Sequence, residues 1–150
     1  MAGNLTLALI KPHAVLEKKV GRIMADIEAA GFGIIGGKML QLKREGAQEF
    51  YKEHEGKDFF ERLISTSIVG PLWALILAKP NAVWEWREKM GATNSAEAAP
   101  GTIRHRFGSH SSIPRNAVHG SATDHEALKE INFFFANELS VLKELEKSEP

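Results

Sequence analysis

From Ile68 to Ala78 the chain reads Ile-Val-Gly-Pro-Leu-Trp-Ala-Leu-Ile-Leu-Ala, without a charge. Such a stretch falls far below the roughly 18 apolar residues of a membrane span. As a strand it presents apolar side chains on both faces, because successive side chains alternate sides. The fold must then bury one central strand between two layers. The chain has the material for this: 150 residues, 43% apolar and 25% charged, is the usual balance of one globular domain.

The remaining elements arrange themselves around that strand. Leu5 to Ile10 alternates large apolar with small or polar residues and predicts a strand, which Lys11-Pro12 ends because proline removes a ladder donor. Val20, Ile23, Met24 and Ile27 recur at helical spacing, with Gly31 placed to close the helix in a left-handed cap. Ile34 to Leu42 predicts a second strand, Arg44 to His54 a polar helix carrying Phe50 and Tyr51, and Phe59 to Ile64 another short helix. Pro80-Asn81 starts a helix through Met90, with Asn81 as cap and Gly91 as stop. Thr93 to Pro114 has little periodicity and predicts a long loop of the kind that often carries function. Ala117-Val118 can form a further short strand. Thr123-Asp-His-Glu126 is a capping box that opens a helix with Ala127, Leu128, Ile131, Phe134 and Phe135 inward. Asn137 to Lys147 reads as a charged peripheral helix. The order β-α-β-α-β-α-loop-β-α predicts an α+β, ferredoxin-like split βαβ sandwich, with a four-stranded antiparallel sheet covered by helices. One domain spans 1–150, its core from about 5 to 135.

Composition removes several chemistries. Lys and Arg number 19, as do Asp and Glu, so nothing suggests a general nucleic-acid binder. The absence of cysteine removes disulfides, thiolate nucleophiles and thiolate metal sites. None of the six histidines forms H-E-x-x-H, so no metal ligand set is expected. Gly31-Phe-Gly33-Ile-Ile-Gly36 matches a dinucleotide fingerprint by letters, but it follows a helix and enters a strand, the reverse of the required context. No P-loop is present. The N-terminal residues lack the basic and apolar regions of a secretory signal, so a cytoplasmic location is expected, without a membrane partner.

One window stands out. Between Glu97 and Asp124 there is no acid, while Arg104, His105, Arg106, His110, Arg115 and His119 all fall inside. Arginine forks suit phosphate, although a solvated basic loop has the same composition. His119 follows Ala117-Val118 and precedes Gly120-Ser121, at a strand end where a turn begins. Glu130 shares the inward row of its helix with Ala127 and Phe134. A carboxylate on that row needs a partner, and a bond to the His119–Ser121 turn would orient the imidazole; otherwise the side chain bends to the rim. Lys11, at the end of the first strand, either caps the surface or projects into a cleft. Tyr51 and Phe59 read as core aromatics, with a stacking platform the alternative for one ring of the Phe59-Phe60 doublet.

In this order the motifs resemble the nucleoside diphosphate kinase family. Arg115-Asn-Ala-Val-His-Gly-Ser121 looks like its R-N-x-x-H-G-S signature, and Leu9-Ile-Lys-Pro12 like its first-strand motif. Gly70-Pro71, Tyr51 with Asp58-Phe-Phe60, Arg87, Thr93-Asn94 and Pro100-Gly-Thr-Ile-Arg104 fall in register with it. The resemblance implies ping-pong transfer of the γ-phosphate of a nucleoside triphosphate to a nucleoside diphosphate, through a phosphohistidine on His119. It implies that Arg87, Thr93 and Arg104 hold phosphates, that Lys11 reaches the transferred group and the 3′-hydroxyl, and that Asn116 binds the sugar. Phe59 would stack on the base, Tyr51 would lie beside the histidine, and Ser121 and Glu130 would support it. Mg2+ would be held mainly by substrate phosphates, without dedicated protein ligands. A homo-oligomer is implied, a hexamer before a tetramer or dimer.

The chain also departs from the family pattern. His13-Ala14 stands where the family commonly has Asp-Gly, Ala122 where an Asp follows H-G-S, and Ser95 where a proline follows Thr-Asn. The segment around Gly108–Ser112 is a little longer than usual. These departures motivate an alternative, a low-turnover nucleotide-binding regulatory module of the same fold. A ferredoxin-like RNA-binding domain is disfavoured because its aromatic strand signature is missing.

Overall fold

The computed structural model describes residues 3–138; most of the segment expected as a terminal helix lies outside them. The charge-free run supplies β3, Leu72–Ala78, but its first residues do not join the strand. Pro71 has no N–H for a ladder, so Ile68–Gly70 serve as the approach and pairing begins after the proline. β1, Leu5–Ile10, pairs antiparallel with β3 from Leu5 opposite Ala78 to Ile10 opposite Trp73. β2, Gly33–Leu40, takes the other edge of β3, and β4, Val118–Gly120, takes the other edge of β1. The order is β2-β3-β1-β4, all antiparallel, as in ferredoxin-like folds.

Strand alternation sorts the core into two halves. Ala8, Ile10, Leu75 and Leu77 pack against one helical layer. That layer contains α1 (Pro12–Leu16), α2 (Val20–Ala29), α5 (Ala82–Met90) and α6 (Ile103–Phe107). Leu7, Leu9, Ala74 and Ile76 pack on the opposite side. There they meet α3 (Arg44–Phe50), α4 (Phe60–Ser67) and α7 (Asp124–Phe135). From Ala74 to Leu77 every β3 side chain is fully buried, as a strand covered on both faces requires.

Several expectations need correction. Thr93–Pro114 is not all loop: α6 forms within it. Thr102 caps α6, its Oγ1 accepting from His105 N at 3.4 Å, and Ile103 and Phe107 bury one turn apart. Pro12 not only ends β1 but opens α1, where its missing N–H is harmless. Asn81 occupies the cap of α5 in a left-handed conformation (φ 58°), with no side-chain capping bond. The expected helix over Arg44–His54 divides into α3 and a 3-10 turn at Lys52–His54. Leu128 on α7 is exposed rather than inward. Thr123 caps α7 as expected, its Oγ1 accepting from Glu126 N at 3.1 Å.

β4 lies close against α5. A Cβ at Gly120 would sit 2.5 Å from Trp86 Cδ1 and 2.6 Å from Met90 Cε. Both neighbours are buried, so neither can withdraw freely. Gly120→Ala is therefore expected to destabilise the fold by about 1–3 kcal/mol, measured by urea unfolding.

Candidate active site

Val118 packs into the α2/α5 half of the core, so alternation sends the His119 side chain to the opposite face. His119 is the middle residue of β4, not the strand-end residue expected from the sequence. Its carbonyl accepts from Trp86 Nε1 at 3.2 Å, which ties the strand to α5. Its ring meets Phe50 edge-on at 5.2 Å and Tyr51 at 6.0 Å.

Glu130 does not escape to the rim. Its Oε1 lies 3.0 Å from His119 Nε2 and accepts from Ser121 Oγ at 2.9 Å. Ser121 is fully buried, and its oxygen also receives Leu7 N at 3.4 Å. A carboxylate only accepts, so Nε2 carries the proton and Nδ1 keeps its lone pair. Burial lowers the His119 pKa below its ordinary value, and Lys11 and Arg104 push the same way against Glu130. The imidazole is therefore neutral at pH 7.

Lys11 projects into the cleft. Its Nζ donates to Asn116 Oδ1 at 2.8 Å and Pro114 O at 3.4 Å. Burial, helped by Arg104, lowers its pKa to about 7. Asn116 is buried and donates from Nδ2 to Thr93 O at 2.9 Å. Arg104 donates to Gly91 O at 3.1 Å and Val118 O at 3.0 Å, while its buried Nε has no partner. Burial, then the nearby Arg87, lowers the Arg104 pKa to about 10. Tyr51 is buried, which raises its pKa to about 12. Phe59 corrects the core reading: it precedes α4 and is 47% exposed, with its ring 5.4 Å from His54.

One cavity of about 1000 Å3 joins these groups. Lys11, Tyr51, Phe59, Arg87, Thr93, Arg104, Asn116, His119 and Glu130 all line it. Ser121 alone of the sequence-predicted set stands behind it, in contact with Glu130. The acid-free window contributes less than its composition suggests. Arg106 pairs with Asp26 of α2, Arg115 is exposed, and His105 stacks on His110. Of that window's Arg and His residues only Arg104 and His119 line the cavity; Lys11 and Arg87 come from elsewhere. Phe50 and His54, which line the cavity beside His119 and Phe59, were not singled out in the sequence because they read as ordinary helix residues. Among the described residues no group of three or more His, Asp or Glu is placed to hold a metal. Nor, among them, is any helix long and apolar enough to cross a membrane.

The sequence model of the nucleoside diphosphate kinase family matches residues 4–139. The chain belongs to the nucleoside diphosphate kinase family. A nucleoside diphosphate kinase of Legionella pneumophila (strain Paris) is 49% identical over 135 residues, covering 90% of this chain and 94% of that relative. The solved nucleoside diphosphate kinase of Aquifex aeolicus superposes with a TM-score of 0.84 at 36% identity, over 88% of this chain and 94% of its own. The Halobacterium salinarum nucleoside diphosphate kinase, solved in complex with CDP, has the same score and identity over 89% and 88% of the two chains. The activity of a nucleoside diphosphate kinase is transfer of phosphate between nucleotides.

Proposed function

We propose that this chain carries out that transfer through His119 Nδ1. The observation that carries the reading is the Nε2–Glu130 contact, which holds the ring proton on Nε2 and leaves the Nδ1 lone pair available in a cavity that Lys11, Arg87 and Arg104 also line. In the first half-reaction the Nδ1 lone pair attacks the γ-phosphorus of a nucleoside triphosphate. The N–P bond forms as the bond to the β-phosphate oxygen breaks, and the diphosphate leaves with that electron pair. In the second half-reaction a β-phosphate oxygen of another nucleoside diphosphate attacks the phosphohistidine. The imidazole leaves neutral because Nε2 has kept its proton.

Charge in such a transition state spreads over phosphoryl oxygens, so fixed cations supply most of the stabilisation. Arg104, Arg87 and Lys11 would meet the phosphates, with Thr93 beside them. An approaching phosphate favours the charged form of Lys11, whose free pKa of about 7 leaves it partly neutral. Lys11 and Asn116, already bonded to each other, would present a joint contact to the sugar 3′-hydroxyl. Tyr51 packs the ring edge-on, while Ser121 and Glu130 fix its orientation. A divalent ion such as Mg2+ suits this donor set only through phosphate oxygens, because the phosphate side of the cavity offers cations rather than carboxylates. Bound that way, it would neutralise phosphate charge.

Phe59, exposed at the cavity wall, would stack on the base. Stacking reads a π-face, so discrimination among bases is expected to be weak. Phe59→Ala is expected to weaken nucleotide binding by about 1–3 kcal/mol with the fold intact, measured as Kd by calorimetry. The same reading includes a homo-oligomer, a hexamer before a tetramer or dimer; exposed Leu16, Val69, Met39 and Trp84 support burial against further copies. The cysteine-free composition suits the cytosol.

The low-turnover module is not favoured, since none of His13, Ser95 and Ala122 replaces a residue of the proposed set. Initial-rate kinetics with a triphosphate donor and a second diphosphate test the reading. Parallel reciprocal plots are expected; tight binding without turnover would support the module instead.

A further inference from the structure

Ala117, between Asn116 and the His119 strand, has a left-handed backbone with φ 72°. Alanine rarely adopts this region, and it persists only where surrounding contacts over-determine it. Val118 N donates to Asn116 O at 2.9 Å, closing a tight turn centred on Ala117. Two further bonds hold that turn, both from the segment after β1. Lys11 N donates to Ala117 O at 2.8 Å, and Ala117 N donates to His13 Nε2 at 2.9 Å. Ala117 is fully buried, so without His13 its N–H would be an orphaned donor.

We propose that His13 is a positioning residue for phosphoryl transfer, its neutral imidazole holding the Ala117 turn that sets Asn116 and His119 in place. The proposal rests on the reading of His119 as nucleophile. His13 Nδ1 lies 3.3 Å from Glu17 Oε1, so Nδ1–H donates to the carboxylate and Nε2 accepts from Ala117. Only the neutral ring does both. A proton on Nε2 would set two donors against each other and release the turn.

The groups facing His13 are Glu17 at the C-terminal cap of α1, Lys11 just after β1, and Lys19 between α1 and α2. Lys19 Nζ also lies 3.4 Å from Glu17 Oε1. Burial lowers the His13 pKa below 6.5, reinforced by the two lysines and opposed by Glu17. A folded pKa below the unfolded one means that the clamp's contribution is complete above about pH 6.5 and is lost as pH falls through the folded value. His119 titrates in the same direction, so two protonations, not one, shut the site on the acid side.

The test uses the whole protein in two readouts. NMR titration follows the His13 ring and the Ala117 amide, and rapid quench follows phosphohistidine formation across about pH 5 to 8. The amide is expected to shift with the ring's own midpoint. His13→Gln, whose Oε1 reaches the place of Nε2 without titrating, is expected to keep the neutral-pH rate within about threefold and to show a shallower acid limb than the wild type. His13→Ala is expected to lose about tenfold at neutral pH, and rescue by Gln separates this from a general loss of fold. An Ala117 amide that ignores the His13 titration overturns the proposal, as does a Gln variant with the wild-type acid limb. The NMR readout needs no turnover, so a failure of the nucleophile assignment itself would show instead as a missing phosphoenzyme.

Discussion

His119→Ala is expected to abolish phosphoenzyme formation while the protein stays folded and still binds nucleotide. β4 is held by backbone bonds to β1 and by Trp86 Nε1 on the His119 carbonyl, none of which involves the imidazole. Glu130 keeps Ser121 as a partner and gains access to water in the space left by the ring. The phosphate and sugar contacts proposed for Arg104, Lys11 and Asn116 are untouched. Exchange between nucleotides should then fall by about 10^4-fold or more, because removal of a covalent nucleophile leaves only positioning. Steady-state exchange, a melting curve and calorimetric Kd on the same preparation check all three parts.

Arg104→Ala is expected to have the second-largest effect, for two separable reasons. Its guanidinium faces the cavity, where loss of a preorganised cation at the transferring group lowers kcat/KM by about 10^2–10^3-fold. The same fork bonds Gly91 O and Val118 O, so it also pins the end of α5 to the residue before His119. Leaving those carbonyls unmet should reduce stability by about 1–3 kcal/mol, seen in urea unfolding. Gly91 adds to the constraint: it sits at φ 86°, and a Cβ there would lie 2.5 Å from Thr102 Oγ1. Arg104→Lys should recover part of the stability and little of the rate, since an ammonium on a shorter stem lacks the planar fork whose two ends reach Gly91 O and Val118 O.

The sheet was legible because its signal is local. The charge-free run had to be a covered strand, and alternation in Leu5–Ile10 fixed its neighbour. α6 was missed because its signal is short: only Thr102, Ile103 and Phe107 mark it inside a segment rich in Gly, Ser and Ala. Glu130 was legible as a buried carboxylate needing a partner, and the His119–Ser121 turn was the partner expected for it. The acid-free window misled in part, because its counter-charge, Asp26, comes from a distant helix. Phe59 could not be assigned by pattern, since the same doublet fits a core or a platform; its exposure is decided by its position just ahead of α4. The His13–Ala117 clamp was invisible, because it joins residues 104 positions apart through a backbone N–H.

The proposed mechanism requires the phosphoryl group to rest on His119 between the two half-reactions. Incubation of the intact protein with a γ-labelled nucleoside triphosphate, followed by peptide mapping, reads this directly. Label that is acid-labile and base-stable, and that maps to the peptide bearing His119, is the predicted result. Label on another residue, or turnover with no labelled intermediate under rapid quench, would contradict it.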